Sequence, residues 1–247
     1  MTINWSVNTH EHLASTQDTL KEMVAVKGAD SISEGTVIHA IQQDSGRGRH
    51  GRVWESELGN LTFSFIIKPN CDISNIGQIA ILCGLSISNA VEETISENDK
   101  CVLKWPNDIL INDRKCSGIL IDAAPAEHNK VPYFIIGVGI NVTSSPLAEA
   151  TCLKNHTDDI IDPEKFMKDV LSSFSDIYTQ WKSDGFDDVS SRWIEKTYDI
   201  GREVSVKIGS NHVKGYFHSI DTYGNLVIIR AKDDKKIKIT SGEVFLL

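Results

Sequence analysis

Arginine and glycine alternate in one segment of this chain, Gly46-Arg47-Gly48-Arg49-His50-Gly51-Arg52-Val53-Trp54. Guanidinium groups make bidentate contacts with carboxylates and phosphates, and glycine lets the backbone approach a ligand closely. The whole chain carries a formal net charge of −9, so this segment concentrates positive charge in an acidic protein. The segment therefore predicts a binding site for a negatively charged ligand.

Gly46, Gly48 and Gly51 also match the G-x-G-x-x-G pattern of dinucleotide-binding loops. That pattern requires the loop to begin a helix whose N-terminus holds the pyrophosphate. Residues 52–60 lead to a β-like run instead, and arginines occupy spacer positions that a backbone phosphate loop does not need. A solvated basic loop is the other alternative, but it explains neither the alternating glycines nor Trp54. Anion binding by the arginines is the favoured interpretation.

Four further segments combine polar side chains with turns or strand ends: Ser15-Thr16-Gln17, Lys104-Trp105-Pro106-Asn107-Asp108, Lys115-Cys116-Ser117-Gly118 and Gly137-Val138-Gly139-Ile140-Asn141. Each has a plain structural explanation when taken alone. The first can cap a helix, the second can form a hairpin, the third can place a lysine at a sheet edge, and the fourth can form a β-bulge. Their occurrence together in one chain is more informative than any one of them.

Hydrophobic periodicity predicts the elements that must position these segments. Helices are expected after Ser15 or Thr16, over 76–91, and from Pro163, which suits a first helical turn. Strands are expected at 36–41, 61–67, 102–105, 109–111, 117–122 and 133–138. Because strands and helices do not alternate regularly, we expect an α/β (α+β) fold with one mixed β-sheet and helices packed on it.

The composition changes at Gly201, after which short strands and turns follow one another. Strands are predicted at 203–208, 212–220, 226–230, 235–240 and 244–247. Strands this short and this evenly spaced are typical of a small β-barrel of SH3-like size. We therefore predict two domains, a catalytic domain over 1–200 and a barrel over 201–247.

The order of the motifs closely resembles that of the biotin–protein ligase family. The resemblance covers nearly the whole chain and rests most strongly on the arginine–glycine segment followed by K-W-P-N-D at 104–108. It implies a catalytic domain of the class II aminoacyl-tRNA synthetase and biotin synthetase type, followed by an SH3-like C-terminal barrel. Only about a dozen residues precede Ser15, so we expect no N-terminal helix-turn-helix domain and no binding to DNA.

The resemblance implies an ATP-dependent reaction in two steps. The carboxylate of biotin attacks the α-phosphate of ATP, which gives biotinyl-5′-AMP and pyrophosphate. A specific lysine of a biotin carboxyl carrier protein then attacks the mixed anhydride and releases AMP. ATP and biotin are thus implied as substrates and Mg²⁺ as a cofactor. A lipoate–protein ligase and a non-catalytic biotin-binding regulator are the alternatives.

The resemblance also assigns roles to single residues. Catalytic roles fall to Lys115, Arg49 and Lys104. Biotin contacts fall to Ser15, Thr16, Gln17, Gln43, Arg47, Gly48, Arg49, Lys115 and Gly118. Nucleotide contacts fall to Arg52, Trp54, Lys104, Asn107, Asp108 and Asn141. No residue is assigned as a direct metal ligand, and Asp108 is a candidate for an indirect Mg²⁺ contact. Gln17 departs from the family, which has Asn there; the amide is kept and one methylene is added.

The composition narrows the expected cellular location of the protein and the classes of partner that it is expected to bind. Uninterrupted apolar runs such as 61–67 are shorter than a bilayer span, and the N-terminus lacks the pattern of a signal peptide. The five cysteines are odd in number and show no C-x-x-C spacing, which favours reduced thiols in the cytoplasm. We therefore expect a cytoplasmic enzyme that acts on a carrier protein without DNA or membrane, and a homodimer is left open.

Overall fold

The structure is a computed structural model that describes residues 2–247. Its helices are α1 (Thr16–Lys27), α2 (Ile76–Glu92), α3 (Pro163–Asp184) and α4 (Asp187–Glu195). The strands before residue 200 are β1 (Ser6–Leu13), β2 (Thr36–Gln43), β3 (Leu61–Ile67), β4 (Cys71–Asp72), β5 (Cys101–Lys104), β6 (Asp108–Ile111), β7 (Arg114–Ala123), β8 (Lys130–Val131) and β9 (Phe134–Ile140). The later strands are β10 (Glu203–Ile208), β11 (Asn211–Ile220), β12 (Leu226–Arg230), β13 (Lys236–Ile239) and β14 (Glu243–Leu246).

The larger sheet has seven strands in the order β1-β2-β3-β9-β7-β6-β5. The pair β1 and β2 is parallel, and the other neighbours are antiparallel. The predicted class, a mixed sheet with packed helices, is therefore confirmed.

The two faces of this sheet are covered differently. One face carries Phe63, Phe65 and Ile136, which join a large apolar core with α2 and α3. The opposite face carries Ile38, Ile66 and Ile135, which pack with Leu20 and Val24 of α1 in a smaller cluster. Since side chains alternate along a strand, the next positions of β3, β9 and β7 on the α1 side are available for a site.

A chain of aromatic rings holds α3 against the sheet. The Phe174 ring lies 5.1 Å from Phe65 and 5.6 Å from Tyr178, and Trp5 lies 5.3 Å from Phe65. Edge-to-face and offset contacts at these distances stabilise the fold beyond the area that they bury. Pro163 begins α3 as predicted, and the Asp162 carboxylate caps it by accepting from the amide of Glu164.

The second sheet has five antiparallel strands in the order β13-β12-β11-β10-β14. It is joined to the first part of the chain by buried contacts: the Trp105 indole N–H donates to the carbonyl of Gly224 at 3.0 Å, and the Gln78 amide donates to the carbonyl of Thr222. Gly77 and Gly224 pack so closely that a Cβ on Gly224 would lie 2.6 Å from the carbonyl carbon of Gly77. The domain boundary near residue 200 stays a prediction.

Four elements were not predicted. The strands β1, β4 and β8 and the helix α4 are absent from the sequence-based assignment. Ile73–Glu92, which includes α2, is long and apolar enough to cross a membrane by length and composition alone. Its apolar residues are interrupted by Gln78, Ser86 and Ser88, so they do not form one uninterrupted run. Most of α2 is buried in the core.

Replacing the central ring of the aromatic chain should destabilise the fold strongly. We expect Phe174→Ala to lower the free energy of unfolding by about 3–5 kcal/mol, because Phe174 is fully buried and leaves a cavity. Phe174→Leu should cost less. Urea denaturation measures both, and Ile160→Ala, at a fully exposed residue, should change the value by less than about 0.5 kcal/mol. A Phe174→Ala change as small as that of the control would contradict the packing described.

Candidate active site

A cavity of about 540 Å³ opens on the α1 side of the seven-stranded sheet. Every residue that the sequence nominated lines it: Ser15, Thr16, Gln17, Gln43, Arg47, Gly48, Arg49, Arg52, Trp54, Lys104, Asn107, Asp108, Lys115, Gly118 and Asn141. These residues come from α1 and its N-cap, from four strands, and from three loops, which follow β2, β5 and β9. The fold therefore brings the nominated residues together, while their individual roles remain predictions.

The floor of the cavity lacks large side chains. Gly118 of β7 pairs with Gly139 of β9, and Gly139 pairs with Thr62 of β3. In the neighbouring rung, Gly137 of β9 pairs with Ser64 of β3. Because glycine and small polar residues occupy these positions, the sheet face beyond α1 remains open.

The buried end of the cavity is polar and hydrogen-bonded. The Gln43 side-chain carbonyl accepts from the backbone N–H of Thr16 at 2.7 Å, and the hydroxyl groups of Thr16 and Ser64 lie 2.9 Å apart. Ser64 in turn donates to the side-chain oxygen of Gln17 at 3.0 Å. Ser15 caps α1 by accepting from the amide N–H of Asp18, as predicted. This end can therefore recognise a neutral polar group.

The arginine–glycine segment forms a short closed loop at the other end. The Trp54 N–H donates to the carbonyl of Gly46 at 2.9 Å, and the Gly48 N–H donates to the carbonyl of Arg52 at 2.7 Å. Between them His50 and Gly51 have positive φ angles of 57° and 74°, which glycine adopts without a steric cost. The segment opens no α-helix, and the dinucleotide interpretation is thereby excluded.

The absence of side chains at Gly118 and Gly139 leaves a trough on the surface of the sheet. The Trp54 indole lies in this trough. A Cβ on Gly139 would lie 2.2 Å from the indole, and one on Gly118 would lie 3.2 Å from it. The Lys115 ammonium lies 5.7 Å from the ring centroid, within cation–π range. The sequence assigned Gly118 to close approach by a ligand; in the structure, the space above it holds Trp54 and Lys115. The buried indole N–H has no hydrogen-bond partner within residues 2–247.

The three loop arginines differ in their partners. Arg47 pairs with Asp18 at 2.9 Å, and Arg52 forms a bidentate pair with Glu243 at 2.7 and 2.6 Å. Arg49 instead donates to two neutral oxygens, the Asn107 side-chain carbonyl at 2.9 Å and the Gly242 carbonyl at 3.4 Å. Burial lowers the pKa of Arg49. In the described part of the chain, Arg49 is thus a half-buried cation without a carboxylate partner.

The K-W-P-N-D segment is the turn between β5 and β6, as the hairpin interpretation predicted. Asp108 begins β6 and pairs with the Lys115 ammonium at 2.6 Å. Lys104 ends β5, and its ammonium lies 5.9 Å from the centroid of the Phe245 ring. No carboxylate within residues 2–247 forms an ion pair with Lys104. Arg49 and Lys104 therefore supply positive charge at this end of the cavity that no ion pair within residues 2–247 holds, although Asp108 and Glu243 lie close enough to Arg49 to oppose the fall in its pKa.

Two nominated groups have limited capacity for a ligand. The buried Asn141 amide donates to the Thr151 carbonyl at 3.0 Å, so part of its hydrogen-bonding capacity is used within the protein. Asp108 is already paired with Lys115. Among the described residues there is no group of three or more His, Cys, Asp or Glu side chains that could hold a metal ion. A divalent cation would have to arrive with ligands of its own, as Mg²⁺ does when it is bound to phosphates.

Sequence reasoning missed part of the cavity lining. The missed residues include Thr62, Ser64, Leu110, Leu120, Leu147, Glu149, Glu243 and Leu246. Thr62 and Ser64 were detectable, because they are the polar members of an otherwise apolar strand and must face a different environment from Phe63 and Phe65. Glu243 carried no signal, because its role depends on a contact with Arg52 across 191 positions.

Two family models match the chain. A model described as the biotin/lipoate A/B protein ligase family matches residues 11–141, and one described as the biotin protein ligase C-terminal domain matches residues 199–247. The two matches follow the order of the two sheets.

Known proteins resemble the chain over most of its length. The bifunctional ligase/repressor BirA of Bacillus subtilis (strain 168) is 32% identical over 92% of this chain and 70% of the relative. A biotin–[acetyl-CoA-carboxylase] ligase of Paracoccus denitrificans is 27% identical over 94% and 98%. A structure of biotin protein ligase from Aquifex aeolicus in complex with biotin and ATP has a TM-score of 0.80 at 30% identity, covering 98% of both chains.

Adding one methyl group to the trough should expel the Trp54 indole. We expect Gly139→Ala to destabilise the protein by about 1–3 kcal/mol and to move the Trp54 emission towards that of a solvent-exposed indole, because the new Cβ would overlap the ring. Fluorescence and urea denaturation measure the two effects, with Trp54→Phe identifying the Trp54 signal among five tryptophans. Gly84→Ala is the matched control, because its Cβ would lie 3.5 Å from the Leu103 side chain, which is an ordinary van der Waals contact. Unchanged emission in Gly139→Ala would contradict this placement.

Removing the charge of Glu243 should release Arg52 in a pH-dependent way. The hydrogen bonds from Arg52 lower the pKa of Glu243, so the pair stabilises the fold above the ordinary pKa of glutamate. This stabilisation is lost as the pH falls through the lowered pKa. Because the Arg52 side chain is 62% exposed, we expect Glu243→Gln to cost at most about 1 kcal/mol at neutral pH. Urea denaturation should show this difference vanish in acid; a difference that persisted there would count against the pair.

Proposed function

This chain belongs to the biotin/lipoate A/B protein ligase family, and we propose that it is an ATP-dependent biotin–protein ligase. One observation carries the proposal: a single cavity joins a buried, neutral polar end to an end where the cations Arg49 and Lys104 contact neutral groups and form no ion pair within residues 2–247. Biotin has a neutral cyclic urea at one end and a carboxylate at the other. ATP brings further negative charge to the same place as that carboxylate.

The reaction requires two anions to meet. The biotin carboxylate attacks the α-phosphate of ATP, the bond to the β-phosphate oxygen breaks, and pyrophosphate leaves. Two unit charges 4 Å apart repel by about 4 kcal/mol at an effective dielectric constant of 20. Fixed cations must offset several such interactions, and cations that are already in place need no reorganisation during the reaction.

Arg49 and Lys115 are suited to the reaction centre for different reasons. Arg49 is half-buried and bonded to neutral oxygens, so a carboxylate or phosphate would be its first anionic partner. Lys115 is held between Asp108 and the face of Trp54. We assign both residues to the contact between the biotin carboxylate and the α-phosphate. Lys104 then faces the leaving pyrophosphate.

The remaining nominated residues are proposed to surround the nucleotide. Trp54 offers an aromatic face and an unused N–H, and Asn107 holds Arg49 through its side-chain carbonyl. When bound to the triphosphate, Mg²⁺ would withdraw charge from the leaving pyrophosphate. Of the carboxylates that line the cavity, Asp108 and Glu243 are paired with cations. Because no three His, Cys, Asp or Glu side chains among the described residues are grouped so that they could hold a metal ion, an ion held mainly by phosphates fits this site.

The second step delivers the biotinyl group to a carrier. The amine of a lysine on a biotin carboxyl carrier protein attacks the acyl carbon of biotinyl-5′-AMP, and AMP leaves. Closure of the arginine–glycine loop over the adenylate would keep water away until that lysine arrives. A cytoplasmic location and two domains over 1–200 and 201–247 belong to this proposal as further expectations, and a homodimer is left open.

The polar end of the cavity favours biotin over lipoate as the substrate. The ring of lipoate carries two sulfur atoms and offers neither an N–H donor nor a carbonyl. Burying the cavity end against such a ring would leave one N–H of Gln43 and lone pairs of Thr16 and Gln17 without partners, which costs free energy. These residues suit a cyclic urea better.

The purified protein should exchange labelled pyrophosphate into ATP only when biotin and Mg²⁺ are present. We expect Lys115→Ala to lower the exchange rate by at least about 100-fold, because an ammonium at the site of developing charge is lost. A filter-binding assay of labelled ATP measures the exchange, and circular dichroism checks the fold.

Lys168→Ala is the matched control, because Lys168 is an exposed lysine of α3 away from the cavity. It should leave the exchange rate unchanged. A folded wild-type protein without biotin-dependent exchange would overturn the proposed function. Near-normal exchange by Lys115→Ala would overturn only the role given to Lys115.

A further inference from the structure

Gln17 is held by two acceptors that have no proton to give. Its side-chain N–H groups donate to the Asp122 carboxylate at 3.0 Å and to the Ile135 carbonyl at 3.1 Å. The two donors of the amide are therefore used, and its oxygen must point the other way. That oxygen lies towards Ser64, on the cavity side. Asp122 itself does not line the cavity.

The orientation of Gln17 fixes the hydroxyl protons next to it. Ser64 has one hydroxyl proton, and it is donated to the Gln17 oxygen at 3.0 Å. The contact of 2.9 Å between Thr16 and Ser64 then needs a proton from Thr16. Thr16 and Gln17 are left with unused lone pairs. Thr16 and Gln17 therefore offer only acceptors to a ligand, whereas the neighbouring Ser15 hydroxyl, which accepts from the Asp18 amide, still has a proton to donate.

A second set of hydrogen bonds fixes the orientation of the Gln43 amide. It leaves a donor, and not an acceptor, available to a ligand. Its side-chain oxygen accepts from the backbone N–H of Thr16, which can only donate. Its amino group donates one N–H to Ser56 at 3.2 Å and keeps one N–H unused. The buried end thus presents acceptors on Thr16 and Gln17 and a donor on Gln43.

We propose that Asp122 is a positioning residue that sets this hydrogen-bond polarity by holding the Gln17 amide, so that the cavity selects a cyclic urea. The proposal rests on the function proposed above and adds a determinant of specificity to it. A cyclic urea carries N–H donors that match Thr16 and Gln17, and a carbonyl that matches the free N–H of Gln43. A site built from fixed hydrogen bonds discriminates strongly against ligands that lack them.

Local geometry explains how the longer side chain of Gln17 is accommodated. The Gln17 oxygen lies over Gly137, where a Cβ would approach it to 2.7 Å. Gln17 is almost fully buried, so an amide that lost its partners would be costly. Asp122 also pairs with Lys21 at 3.0 Å on its more exposed side. Gly137 thus makes room for the amide, and Asp122 orients it.

Calorimetric titration of biotin into the full chain, without ATP, tests the proposal. We expect Gln17→Met to weaken biotin binding by about tenfold and Asp122→Ala by about threefold, since the Ile135 carbonyl still holds one N–H in the latter. The double variant should bind no more weakly than Gln17→Met, because Asp122 acts only through Gln17. Desthiobiotin keeps the cyclic urea but lacks the sulfur ring. The same two variants should weaken its binding by the same factors as they weaken the binding of biotin.

Lys21→Ala is the matched control, because it removes the other partner of the same carboxylate; it should bind biotin like the wild type. Asp122→Ala with wild-type affinity, additive losses in the double variant, or no biotin binding by the wild type would each overturn the proposal. Biotin binding with these effects but without pyrophosphate exchange would overturn the proposed function alone. Biotin-dependent exchange with unaltered binding in Asp122→Ala would overturn the role of Asp122 alone.

Discussion

The site depends on a group of neighbouring positions in the middle of the seven-stranded sheet that carry no large side chain. A sheet of seven strands must bury its faces, and here α2 and α3 pack on one face while α1 covers part of the other. The remaining part carries Gly118, Gly137 and Gly139 in neighbouring positions of β7 and β9, which leave room for the side chains of Trp54, Lys115 and Gln17. A side chain at Gly139 would occupy the space now taken by Trp54. The cavity is thus a consequence of strand register as much as of composition.

Charge is distributed over this surface so that the cations differ in availability. Arg47 and Arg52 are paired with carboxylates at the rim, whereas Arg49 and Lys104 face neutral oxygens or an aromatic ring. The pairs at the rim fix the loop, and the unpaired cations keep their charge available for a ligand. Glu243 and Gly242 bring the C-terminal sheet into this arrangement, because both contact arginines of the loop. The second sheet therefore helps to build the site.

Elements with a strong local pattern could be predicted, and contacts between distant elements could not. The strand Leu61–Ile67 was predicted with its bounds because an apolar run lies between polar residues. The strand β1 was missed because it is an exposed edge strand with polar residues such as His10 and His12. The helix α4 was missed because it has nine residues and buries only Val189 and Trp193. The lining residues were found from motif order, but the bond between Gln17 and Asp122 depends on a register that spans 105 positions.

The five cysteines are all buried and unpaired in disulfides. Burial raises the pKa values of four of these thiols, that of Cys101 to about 12, and the thiolate is the reactive form. We therefore expect the five natural cysteines to react little with thiol-specific labels while the chain is folded. A single cysteine introduced at Val53, which is 70% exposed on the arginine–glycine loop, would carry a fluorophore or spin label without removal of any natural cysteine.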